Sequence, residues 1–165
     1  MQNLEIISSK IFKNRDELKF RLGYWEFHEK KVVFTNGCFD LIHKGHIDYL
    51  AKAADEGDVL IIGLNTDNSV SRIKGENRPI QDEESRALIL AALHFVNAVV
   101  LFDEETPKDL IEMVQPDVLV KGSDYKPEDI VGYDVVKARN GEVITIDFLE
   151  GYSTSSIISK ILKTT

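Results

Sequence analysis

The chain is expected to fold as a single doubly wound α/β domain, with a parallel five-stranded sheet and an additional N-terminal helix. Two observations carry this expectation. Five short β-branched runs are nearly continuous in apolar residues, as in strands covered on both faces; a half-exposed strand would alternate apolar with polar residues. Helical periodicities fill the intervals, and strands alternating with helices build parallel sheets with right-handed crossovers. A length of 165 residues, 43% of them hydrophobic, suits one domain with a substantial core.

The elements follow in chain order. Residues 1–30 form an N-terminal extension, in which Asn14 to His28 reads as the additional helix; residues 31–165 hold the rest of the domain. Val32-Val33-Phe34 is the first strand. The helix after it, His43 to Glu56, places Ile47, Leu50, Ala51 and Ala54 on one stripe. Val59-Leu60-Ile61-Ile62 is the second strand and leads into a loop carrying Lys74. Glu83 to Phe95 is helical, with Ala87, Leu88, Ala91 and Leu93 turned inward. Ala98 to Leu101 is the third strand, and Thr106 to Val114 a helix with a hydroxyl cap and a proline at its first position. Val118 to Val120 and Val143 to Ile146 complete the sheet, and Ser153 to Leu162 is the last helix.

Composition narrows the function classes. A formal net charge of −8 opposes non-specific attraction to nucleic acid or to an anionic membrane. No apolar run approaches the ~18 residues of a membrane span, the longest, such as Val59 to Leu64, being strand-sized. The one cysteine, Cys38, cannot form an internal disulfide, and no secretory leader pattern opens the chain, so a cytoplasmic location is expected. Neither Gly-x-Gly-x-x-Gly nor a Walker phosphate loop occurs, which argues against a dinucleotide dehydrogenase or a P-loop enzyme.

Ligands of doubly wound folds bind beyond the carboxyl ends of the strands, where strand order reverses. The stretch from Thr35 to His46 leaves the first strand, turns at Gly37 and enters a helix, a setting in which a glycine and unpaired N–H groups favour an anion. His43 and His46, three apart, project from roughly one face, and Gly45 between them leaves room for a ligand near the backbone. Taken alone, such a pair is equally open to reading as satisfied core histidines, a metal pair or surface neighbours. Zinc needs three or four ligands, and His28 and His94 lack the spacing to supply them.

Gly37-Cys38-Phe39-Asp40-Leu41-Ile42-His43-Lys44-Gly45-His46 resembles the Gly-x-Phe-Asp-x-x-His-x-Gly-His signature of the cytidylyltransferase-like nucleotidyltransferases, relatives of class I aminoacyl-tRNA synthetases. Asn65-Thr66-Asp67, Val70, Arg72, Lys74-Gly75, Arg78-Pro79, Arg86, the segment Lys121 to Tyr125 and the segment Gly151 to Ser155 further resemble the adenylyltransferase domain of bacterial ADP-heptose synthases. Ser123 and Ser155 stand where that group commonly has glycine and threonine.

The resemblance implies a Rossmann-like nucleotidyltransferase domain over residues 31–165 that transfers the adenylyl group of ATP to D-glycero-β-D-manno-heptose 1-phosphate, releasing pyrophosphate. It implies Mg2+ with the ATP, a separate sugar kinase upstream, no nucleic-acid or membrane partner, and allows a homodimer. His43, His46 and Lys74 would be catalytic. Asn36, Gly37, Cys38, Phe39, Gly45, Gly122, Asp124, Ser153, Thr154 and Ser155 would hold the nucleotide, and Asp40, Asp67 and Arg78 the sugar phosphate or the ion. Each has a plainer role: turns and caps for the aspartates and hydroxyls, a solvated lysine for Lys74, a small buried residue for Cys38, acidic helix neighbours for Arg86. A cytidylyltransferase acting on glycerol 3-phosphate and a non-catalytic nucleotide-binding domain are the competing functions.

Overall fold

The computed structural model describes residues 2–164, so Met1 and Thr165, the ends of the two expected segments, lie outside the described residues. The elements run α1 (Asn3–Ser8), β1 (Ile11–Phe12), α2 (Arg15–Phe27), β2 (Val32–Gly37), α3 (Lys44–Ala54), β3 (Val59–Asn65), α4 (Asp67–Lys74), α5 (Glu83–Ala92), β4 (Ala98–Phe102), α6 (Lys108–Val114), β5 (Val118–Gly122), α7 (Tyr133–Ala138), β6 (Glu142–Ile146) and α8 (Thr154–Thr164). A 3-10 turn at Pro127–Asp129 precedes α7.

The sheet is parallel throughout, in the order β1-β4-β3-β2-β5-β6. It has six strands where five were expected. The extra one, β1, is only two residues long, and Ile11 and Phe12 pair with Val99 and Val100 at the edge beside β4. Two residues make no run that periodicity can register.

Helices cover both faces. Leu18 and Trp25 of α2 share one core with Phe34, Ile61, Val100, Leu110 and Ile111. Tyr49, Leu50 and Ala53 of α3 and Ala87, Leu90 and Ala91 of α5 form the other with Val33, Leu60 and Ile62. The inward faces of α3 and α5 are rotated from the expected stripes: Tyr49 and Ala53 are buried where Ala51 and Ala54 are only half-buried, and Leu90 takes the place of the exposed Leu88. Asn14 caps α2 by accepting from the Asp16 amide at 2.8 Å. Pro107 stands one position before α6, not within it.

The chain winds from β2 through β3 to β4 in one direction, then crosses to β5 on the far side of β2. Strand order therefore reverses between β2 and β5, and the crevice beyond their C-terminal ends is where such a fold receives ligands. No helix among the described residues is long and apolar enough to cross a membrane.

Candidate active site

A cavity of about 630 Å³ opens at this reversal. Its wall takes Asn36 to Asp40 after β2, His43, Gly45 and His46 at the start of α3, Lys74 and Arg78 beyond β3, Gly122 and Asp124 from β5, and Ser153 to Ser155 at the start of α8. Of the expected site residues only Asp67 stands apart. A larger groove of about 850 Å³ lies at the opposite ends of the strands, among Lys31, Val32, Asp117 and Glu142, where mixed charges offer no convergent set of donors.

The start of α3 differs from its neighbours. Thr66 caps α4 and Asp82 caps α5 through their side-chain oxygens, whereas His43 at the α3 cap position makes no such bond. The first amides of α3 are left to whatever enters the cavity, and an anion is the favoured guest at such a terminus. Beside them the His43 and His46 rings stack with centroids 3.8 Å apart and planes at 22°. Both Nδ1 atoms are buried without a hydrogen-bond partner among the described residues. Burial lowers the His46 pKa to about 4, helped by repulsion from His43 and opposed by its hydrogen bond with the Leu41 backbone. Burial lowers His43 as well. Two neutral imidazoles therefore line the cavity at neutral pH.

The turn before α3 is shaped by packing. Phe39 adopts a left-handed conformation at φ 44° and sets its ring edge-on to His46, with centroids 5.4 Å apart. Gly45 was expected to leave space for a ligand. A Cβ there would instead come within 3.1 Å of both the His43 ring and Tyr152, so the missing side chain admits these two residues. At Gly122 a Cβ would stand 2.2 Å from Phe148 and 2.7 Å from the Asp124 carboxylate.

Asp40 lines the cavity, but both its oxygens are engaged. It accepts from Arg78 Nε at 2.7 Å and from the amides of Ile80 and Gln81 at 2.9 Å. Burial would push its carboxyl up, yet these donors outweigh it and hold the group below the usual carboxylate range. Asp40 thus ties down the loop carrying Arg78. Asp67 turns to Arg86 Nη2 at 2.7 Å, away from the cavity. Arg86 does not serve its acidic helix neighbours. Fully buried, it donates from Nη1 to the carbonyls of Cys38 and Asn65 and from Nε to that of Gln81.

Lys74 is the last residue of α4, a short helix where a loop was expected, and forms no hydrogen bond or ion pair among the described residues. Ser153 caps α8, its Oγ accepting from the Ser156 amide at 3.1 Å. Cys38, expected as a small buried residue, is half-buried, and its thiol is pushed up mainly by burial. Seven wall residues carried no assigned role: Tyr49, whose hydroxyl bonds Thr35 at 2.8 Å and is pushed up to about 12 by burial, Ile73, Lys121, Tyr125, Phe148, Leu149 and Tyr152. Lys121, Tyr125 and Tyr152 lie inside the segments that carry the family resemblance; no pattern marks Tyr49 or Phe148.

Among the described residues no group of three or more His, Cys, Asp or Glu is placed to hold a metal ion. Such a wall fits a magnesium ion that arrives on a triphosphate, because Mg2+ keeps waters and phosphate oxygens in its shell and needs few carboxylates. Asp124 is the wall carboxylate open to it.

The comparisons with known proteins agree with this geometry. Residues 34–160 match the model of a family described as cytidylyltransferase-like. Bifunctional protein HldE of Citrifermentans bemidjiense is 57% identical over 93% of this chain, and HldE of Campylobacter jejuni 54% over 92%. The chain spans about a third of the length of these relatives, 31% and 32%. Among solved structures, a lipopolysaccharide core biosynthesis protein from Thermoplasma volcanium superposes with a TM-score of 0.58 at 27% identity, covering 75% of this chain and 99% of its own. A pantoate-beta-alanine ligase from Francisella tularensis shares the fold, with a TM-score of 0.62 at 17% identity over 93% of this chain and 77% of its own. The family expected from the Gly37 to His46 signature is borne out: the chain belongs to the cytidylyltransferase-like family of nucleotidyltransferases.

Proposed function

We propose that this chain transfers the adenylyl group of ATP to D-glycero-β-D-manno-heptose 1-phosphate, giving ADP-heptose and pyrophosphate in the cytoplasm. The observation that carries the proposal is the stacked His43 and His46 pair beside an uncapped helix start, at the strand-order reversal, with Lys74 in the same cavity wall. The names of the relatives, HldE and a lipopolysaccharide core biosynthesis protein, support the choice of substrate.

The chemistry asks for no protein nucleophile. A phosphate monoester has its second pKa near ~6, so the attacking oxygen is largely ionised at neutral pH and gains little from a general base. The acceptor oxygen bonds to the α-phosphorus, the bond to the bridging oxygen breaks, and pyrophosphate leaves in line. The protein has to align two polyanions and meet the charge that spreads over the α-phosphoryl and leaving oxygens. The α3 amides and neutral imidazole N–H groups serve as fixed donors, and a bound polyanion draws protons onto the imidazoles. Lys74 reaches the leaving pyrophosphate, Arg78 the acceptor, and the Ser153 to Ser155 segment the nucleotide phosphates. Magnesium, carried by the triphosphate, supplies charge neutralisation.

Pyrophosphate release tests this directly, comparing ATP with CTP against heptose 1-phosphate, glycerol 3-phosphate and no acceptor. Release with ATP and heptose 1-phosphate alone is expected. Release with CTP and glycerol 3-phosphate would keep the mechanism and overturn the substrate, and ATP binding without release from any pair would make this a nucleotide-binding module. His46→Ala should lower turnover far more than stability; unchanged turnover would remove the residue from the mechanism.

A further inference from the structure

Lys121 leaves β5 one residue before its end and reaches across the strand-order reversal to donate a hydrogen bond to Oδ1 of Asn36 on β2. It is half-buried and lines the cavity with His43, His46 and Lys74. Its hydrogen-bond partner is a neutral amide, and it forms no ion pair among the described residues. A desolvated ammonium held only by a neutral oxygen keeps its field for an incoming anion, and that field is stronger here than in bulk water.

The charges around it leave this demand unmet. Asp124 from its own strand end and the Cys38 thiol after β2 face it and favour its charged form, but burial outweighs both and lowers the pKa to about 8. From the other elements of the wall come His43, His46 and Tyr49 of α3 and Lys74 of α4, none an anion at neutral pH. The loop beyond α4 adds Arg78, bound to Asp40.

We propose that Lys121 is a substrate-contacting residue, whose ammonium passes from the Asn36 amide to a phosphoryl oxygen held over the crevice between β2 and β5. That oxygen belongs either to the α-phosphoryl of the nucleotide or to the phosphate of the acceptor. The assignment rests on the adenylyl-transfer reading of the cavity. Asn36 serves as the resting partner, keeping the ammonium extended across the crevice until the anion arrives.

The test uses Lys121→Gln, which can still donate to Asn36 without a charge, with Lys121→Met and Lys121→Arg beside it. Calorimetry with Mg-ATP alone and with the sugar 1-phosphate alone separates the two sources of phosphate. Lys121→Gln should keep the wild-type melting temperature and lose on the order of ten-fold or more in affinity for one of the two ligands, the worth of a charge-assisted hydrogen bond. The ligand affected names the phosphate. In turnover, wild-type kcat/KM should fall above about pH 8 as the free ammonium is lost, and Lys121→Arg should carry the plateau to higher pH. If Lys121→Gln or Lys121→Met, folded, binds both ligands as the wild type does and keeps its pH profile, Lys121 is only a structural tie to Asn36 and the proposal is overturned. Should Lys121→Met fail to fold, Lys121→Gln decides alone. If wild type binds ATP but turns over no acceptor, the adenylyl-transfer reading fails, while the ATP arm still decides whether Lys121 holds a nucleotide phosphate.

Discussion

His43 and His46 stack ring on ring, 3.8 Å between centroids, with the same nitrogen of each, Nδ1, buried and without a hydrogen-bond partner among the described residues. Burial lowers the pKa of both rings, and for His46 the neighbouring His43 adds repulsion and brings it to about 4, so the pair is neutral at neutral pH. A bound triphosphate reverses that balance.

ATP binding near pH 6 should therefore take up protons, since imidazoles that are neutral in the free protein gain protons beside a polyanion. Calorimetry in two buffers of different ionisation heat measures the uptake. Affinity for the triphosphate should rise as pH falls in the same range, and His46→Asn should abolish most of the linkage. An uptake unchanged in His46→Asn would place the titrating group elsewhere.

The same depressed pKa acts on stability with a definite sign. Between the ordinary histidine value of 6.5 and the folded value of about 4, the unfolded chain binds protons at position 46 that the folded chain does not. Stability is unaffected by this group above that window and falls as pH drops through it. Urea unfolding at successive pH values should show a steeper acid loss for the wild type than for His46→Gln.

Asp40 is a fixed point of the cavity wall. Asp40→Ala leaves the Arg78 guanidinium and the Ile80 and Gln81 amides without their acceptor. Removing one partner of a buried pair typically costs about 3–5 kcal/mol, and a drop of that order in urea stability is expected. Asp40→Asn, which keeps an acceptor, should lose less. A variant as stable as the wild type would show that the loop stands without this anchor.

Gly122→Ala should separate stability from function. The added Cβ would meet the exposed Phe148 ring and the Asp124 carboxylate, both far ends of side chains that can move, so stability should change by less than about 1 kcal/mol. Phe148 lines the cavity against Tyr49, at 5.8 Å between ring centroids, and its displacement reshapes that wall. The KM for ATP should rise several-fold with little change in melting temperature; an unchanged KM would remove the wall formed by Phe148 and Asp124 from nucleotide binding.

The α/β class was legible because four strands, β4, β3, β2 and β5, lie inside the sheet, where continuous apolar runs are required, and the edge strand β6 keeps enough apolar residues to show as a fifth run. β1 was not, because an edge strand of two residues is held by register with β4 and leaves no run. α4 was also missed: Asp67 to Lys74 is a short polar helix whose one buried hydrophobic side chain, Val70, sets no stripe. The crevice residues from Asn36 to His46 were legible because a glycine turn entering a helix has a local signature. Partnerships formed across the chain have none. Asp67 and Arg86, or Lys121 and Asn36, meet only after the fold has brought their elements together.

Arg86 binds carbonyls that follow β2, end β3 and precede α5, together with the Asp67 carboxylate. Three segments distant in sequence therefore share one buried guanidinium. None can open to solvent without stranding a charge among the partners that remain. Amide hydrogen exchange around Cys38, Asn65 and Gln81 should accordingly proceed through a single cooperative opening, with one common free energy, even though two of these residues lie in loops. The cavity floor is thereby fastened into the core, whereas Tyr125, Phe148 and Tyr152 of the outer wall are exposed and carry no such tie to Arg86.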